Sequence, residues 1–155
     1  MKKFGKVLLS LVLLVLVSFG FCGCFEIKKT PISAEQFKTI MESRDYVVTD
    51  ETSRMDDSSV DCAYLATYED LVIHYYHFVS IYHAEAAYDD VYYDMKHEDG
   101  RKSSMEENGL NFEKYEIDGA GVFRVVCRIE NTLVYTDAGV ADASEAERLI
   151  EELGY

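Results

Sequence analysis

The residues best equipped for chemistry cluster between positions 74 and 97. Asp90, Asp94 and His97 follow one another at spacings of four and three. On a helix that spacing lines up oxygen and nitrogen donors on one face, as a weak candidate set for a divalent cation. A hard-cation site needs further ligands and a constrained loop, and the EF-hand pattern is absent, so a solvated acidic face is the plainer reading. His74 and His77 stand three apart in a β-rich run, which points them to opposite faces and keeps them from sharing an ion. Tyrosine is the more unusual signal, with 12 residues and no tryptophan. Tyr92, Tyr93 and Asp89 on the acidic helix form a candidate partner surface for a peptide, glycan or protein, because tyrosine is enriched at interfaces. The alternative is that the rings pack inward with hydroxyls at the core rim. No Gly-x-Ser-x-Gly elbow, Cys-x-x-Cys pair, His-Glu-x-x-His or glycine-rich phosphate loop is present. The chain therefore offers no catalytic residue and no cofactor motif. An acid and base drawn from its many carboxylates stays open as a hydrolase alternative.

The elements that must position these residues begin after an export segment. Lys2, Lys3 and Lys6 precede an uncharged run from Val7 to Phe21, the basic and apolar parts of a signal peptide. The stretch Phe21-Cys22-Gly23-Cys24 then resembles the lipobox of bacterial lipoproteins, with Phe21 and Cys22 where Leu and Ala or Ser are usual. That resemblance implies cleavage before Cys24, a diacylglycerol on its thiol, and a cell membrane location on the extracytoplasmic face. Two other readings stand beside it. One is secretory cleavage after Gly20. The other is an uncleaved anchor helix, since Val7 to Phe25 is near the roughly 20 residues that span a bilayer.

Loss of residues 1 to 23 removes three of the 15 basic residues and none of the 29 acidic ones, which takes the charge from −14 to −17. Such a field repels phosphate backbones and anionic headgroups, so nucleic acid and direct adhesion to the membrane surface are disfavoured. Membrane attachment would then come through the Cys24 lipid. Residues 24 to 32 read as a tether and residues 33 to 155 as one domain. Cys62 and Cys127 are a candidate disulfide in an oxidising compartment, with two buried free thiols as the equal alternative.

Within the domain, Ser33-Ala34-Glu35-Gln36 is a capping box opening a helix to about Ser43. Tyr46 to Thr49 reads as a strand, and Cys62 to Tyr68 and Leu71 to Phe78 as a hairpin turning at Glu69-Asp70. Ser80 caps a helix with Ala84, Ala87, Tyr88, Val91 and Met95 in one apolar stripe. Asp99 to Asn111 lacks periodicity and reads as a flexible loop. Phe112 to Ile117 follows as an edge strand. Phe123, Val125, Cys127 and Ile129 then share one face of a strand that turns at Glu130-Asn131. Asp142 to Glu145 resembles a second capping signal, and its helix ends at Gly154. The expected fold is α+β: helix, three strands, helix, three strands, helix. Its antiparallel sheet would carry the helices packed on one face, with an internal repeat between Cys62 to Tyr75 and Val125 to Tyr135.

The lipobox, Ser33-Ala34-Glu35-Gln36-Phe37, the run Arg128-Ile129-Glu130-Asn131-Thr132-Leu133-Val134-Tyr135 and the closing Leu153-Gly154-Tyr155 together resemble small uncharacterised lipoproteins of Gram-positive anaerobic bacteria. The resemblance implies no activity and carries no catalytic residues. The expected function is a non-catalytic binding or accessory lipoprotein of the cell envelope, partnered by an envelope protein or wall component. A hydrolase with paired carboxylates and a divalent-cation binder are the alternatives.

Overall fold

Ser33 caps the first helix in the predicted manner. Its hydroxyl accepts from the Gln36 amide at 3.2 Å, and the Gln36 side chain accepts from the Ser33 amide at 2.8 Å. This is α1, Ala34–Glu42, in a computed structural model that describes residues 27 to 119 and 121 to 155. The signal segment, Cys22 and Cys24 lie outside the described residues. Helix α1 leads to β1 (Val47–Asp50), a 3-10 turn (Thr52–Arg54), β2 (Val60–Tyr68) and β3 (Leu71–Phe78). Helix α2 (Ile81–Lys96) follows, with Ser80 as its cap and Ala84, Tyr88 and Met95 buried along the expected stripe. Then come β4 (Arg101–Asn108), β5 (Phe112–Gly119), β6 (Val122–Ile129), β7 (Thr132–Gly139), a 3-10 turn (Val140–Asp142) and α3 (Ala143–Glu152).

The seven strands form one antiparallel sheet in the order β1-β2-β3-β7-β6-β5-β4. Two meanders, β1 to β3 and β4 to β7, meet where β3 pairs with β7. Helix α2 carries the chain from the middle of the sheet to its far edge, which the short antiparallel links of the other strands do not require.

This architecture corrects the expected one in four respects. The second meander has four strands. Arg101–Asn108 is the added strand; its sequence reads as loop because its single apolar side chain, Met105, leaves no alternation to detect. It is a strand because its backbone pairs with β5. As a result β5 is an interior strand, not an edge.

The helices also lie on both faces of the sheet. Phe37 and Met41 of α1 and Ala146, Leu149 and Ile150 of α3 share one core with Ile73, Tyr75, Val125, Cys127 and Val134. Ala84, Tyr88 and Met95 of α2 share another with Phe78, Tyr115, Ile117, Val126 and Leu133. The central strands are apolar on both sides, and each side needs a cover. That removes the internal repeat. A two-fold relating the antiparallel pair β3 and β7 would keep α1 and α2 on the same face, and they occupy opposite ones. Finally, Asp142 precedes α3 without a side-chain capping bond.

The expected tether is also shorter than its span of 24 to 32. The Lys29 amide donates to Asn111 Oδ1 at 3.0 Å and the Asn111 side-chain amide donates to the Lys29 carbonyl at 2.8 Å. Farther along, Tyr75 donates its hydroxyl proton to the Ile32 carbonyl at 2.9 Å. Residues 27 to 32 are thus a strap on the α1 side of the sheet, and only residues 25 and 26 separate Cys24 from it.

Candidate functional site

The alternating side chains of β3 divide the molecule's polar aromatics between its two faces. Tyr75 points to the α1 side and stacks on Phe37 with ring centroids 5.0 Å apart. His74 and Tyr76 point to the α2 side. There α2 covers one part of the sheet and the 3-10 turn at Thr52–Arg54 another, leaving a half-buried strip between them. Tyr135 of β7 stands opposite His74 in register, with ring centroids 5.8 Å apart. The His74 and Tyr76 rings lie nearly parallel at 6.1 Å, and the Tyr76 hydroxyl is 3.3 Å from His74 Nδ1. Burial holds the His74 imidazolium below its ordinary pKa, so the ring is neutral at pH 7. Burial also raises the pKa of the Tyr76 and Tyr135 hydroxyls. The strip is therefore an uncharged floor with donors and acceptors at its tips.

Ion pairs close both ends of the strip. Toward α2 a groove of about 780 Å³ is walled by Val91, Asp94, Met95, His97 and Glu98 on one side and by Arg124, Tyr135 and Asp137 on the other. Arg124 donates from Nε to Asp137 at 2.7 Å and from a terminal nitrogen to Glu98. Beneath the 3-10 turn a smaller depression of about 210 Å³ includes His74, Tyr76, Leu65, Glu51 and Arg54. Arg54 contacts both Glu51 oxygens at 2.6 Å. Tyr135 lines the larger depression and His74 the smaller, and the paired rings stand between the two. Glu98 and Asp137 converge in the larger one, but both are held by Arg124, so the arrangement suits binding better than proton transfer.

The structure distributes the sequence candidates differently. Asp94 and His97 line the larger groove, whereas Asp90 lines a separate depression near the start of α2 with His83 and Asp57. Among the described residues no group of three or more His, Cys, Asp or Glu side chains is placed to hold a metal ion. Tyr92 is half-buried, its ring 4.7 Å from Tyr115 and 5.9 Å from Tyr88. Tyr93 is 63% exposed and lies against the His97 ring at 4.2 Å. Asp89 is exposed. The partner surface of Tyr92, Tyr93 and Asp89 is thus split, with one tyrosine belonging largely to the core.

His77 takes the opposite face from His74, as the spacing required, and sits between Asp61 and Asn131, each at 3.0 Å. Cys62 and Cys127 are free thiols. Their strands are separated by β3 and β7, which at about 4.8 Å per strand puts them roughly 14 Å apart, beyond disulfide reach. The disulfide reading is corrected accordingly. The floor of His74, Tyr76 and Tyr135 and the Arg124 clamp went unread in the sequence. His74 and Tyr76 share a strand face, but pairing β3 with β7 brings in residues some 60 positions away.

No protein-family model matches the chain, and no curated protein matches it. Among solved structures the chain is similar to a Thermotoga maritima protein described as a GTP binding regulator, at 13% identity and a TM-score of 0.48. The alignment covers 79% of this chain and 85% of that one. No helix among the described residues is long and apolar enough to cross a membrane.

Proposed function

We propose that the protein is a lipid-anchored, extracytoplasmic, non-catalytic binding domain of the cell envelope that takes its ligand in the groove beside α2. The observation that carries this reading is the half-buried floor of His74, Tyr76 and Tyr135 bounded by ion-paired arginines. Flat rings with polar tips suit a ligand that has both an apolar face and hydrogen-bonding edges, such as a wall glycan or peptide. The course of the strap supports it. The strap meets the sheet at Asn111 beside Phe112, which pairs with Ile129, whereas Arg124 lies five residues farther along β6 and on the other face. At about 3.4 Å per residue the groove stands roughly 17 Å along the sheet from the strap, turned away from the anchored side.

The test is retention on isolated cell-wall material by the wild type and by Tyr135→Ala and Arg124→Ala variants whose thermal transitions remain cooperative. Binding should fall at least about tenfold in each. Undiminished retention of both variants would remove the groove from the proposal.

A further inference from the structure

Strand β4 leaves an open edge with charges of opposite sign at its two ends. β4 is last in the sheet order, and every residue from Arg101 to Glu106 is exposed, as is Asn108. Its outward amides and carbonyls are unmatched within the sheet, which is the usual template for pairing with another chain. Its sequence is basic at one end, Arg101-Lys102, and acidic at the other, Glu106-Glu107, with Ser103-Ser104-Met105 between them.

We infer that β4 pairs antiparallel with β4 of a second copy about a two-fold axis near Ser104, joining two sheets into one. In that arrangement the Arg101-Lys102 end of each strand lies beside the Glu106-Glu107 end of the other. A parallel pairing would set like charges side by side, so the pattern selects one geometry. Helix α2 packs over β3, β6 and β7 and touches β4 only at its inner side, through Tyr92 at Glu106 and the Lys96 carbonyl at Arg101, so the outward backbone edge of β4 stays open. A second sheet can therefore approach without a clash. The bulge between Arg101 and Ser103 leaves Ser103 to Met105 as the regular ladder about the axis, with Lys102 of each strand meeting Glu106 of the other just beyond it. Bulges and edge charges commonly discourage promiscuous pairing. Here the same charges exclude other strands and admit this one, and the short ladder makes a weak dimer favoured by concentration on a surface.

Ser104 faces its own counterpart in this arrangement, with directly opposed Cβ atoms about 5 Å apart. The test uses Ser104→Cys in the full chain, oxidised mildly in membranes and separated without reductant. A covalent dimer absent from the chain bearing only its native cysteines is expected. Adding Lys102→Glu, or separately Glu106→Lys, should lower its yield about tenfold, and co-expressing the two charge variants should restore a mixed dimer. Lys102 is chosen because Arg101 also donates to the Tyr115 hydroxyl and the Lys96 carbonyl. No cross-link at Ser104, or a cross-link indifferent to both charge reversals, would overturn the inference.

Discussion

His74 is a half-buried ring whose protonation opposes the fold. Its pKa is held below 6.5 by burial alone, so in the range between its folded pKa and 6.5 the unfolded chain binds the proton and the native state does not. Stability from this group is full above about pH 6.5 and is lost as pH falls through the window toward the depressed value. His74→Gln should therefore flatten the drop in Tm between pH 7 and pH 5 relative to wild type, measured by calorimetry; an unchanged slope would assign the drop to the carboxylates. The two thiols make a second prediction at this scale. Burial pushes the Cys127 thiol up to about 12 and raises Cys62 as well, and thiolate is the reactive form. Iodoacetamide at pH 8 should spare Cys127 in the native fold and label both Cys62 and Cys127 after unfolding without reductant, as mass spectrometry of their peptides would record.

Among the elements, α3 shows how a local signal and a tertiary contact share one terminus. Gly154 has φ +84°, its amide reaches the Glu151 carbonyl at 2.9 Å, and the Tyr155 amide reaches Ile150 at 3.0 Å, closing the helix in a Schellman-type turn. A Cβ at Gly154 would meet nothing within 4 Å. The cost of Gly154→Ala is therefore conformational, about 1 kcal/mol, and a shift in the urea midpoint with unchanged slope would report it. The turn also delivers Tyr155, 4% exposed, into the core, where its hydroxyl bonds Thr132. The capping box at Ser33, the cap at Ser80 and the hairpin turns are readable for the same reason: each is satisfied within a few residues. β4 was not readable, since its partner β5 supplies all the order it has.

For the whole molecule, the decisive prediction concerns the anchor. With the strap bonded from Ile27 onward, only residues 25 and 26 remain between Cys24 and the folded domain, a span of about 10 Å at full extension. A chain of charge −14, or −17 after the expected cleavage before Cys24, gains little from an anionic bilayer. Cys24→Ser should accordingly appear in the medium when cell fractions are immunoblotted. Retention on cells would instead point to an uncleaved N-terminal helix.

The capping box at Ser33, the stripe on α2, the two hairpins and the opposed faces of His74 and His77 were all legible, because helical and strand periodicities act over a few residues. The same local rules placed Phe123, Val125, Cys127 and Ile129 on one face of β6. They could not reveal that β3 pairs with β7, that α2 crosses to the face opposite α1 and α3, or that Cys62 and Cys127 lie three strands apart. These outcomes depend on which apolar surfaces find one another across long stretches of chain. The groove belongs to that second category, since its floor joins His74 to Tyr135 and its Arg124 clamp joins β6 to β7 and to the residue just beyond α2. No window of sequence contains it, and the pairing of the two meanders creates it.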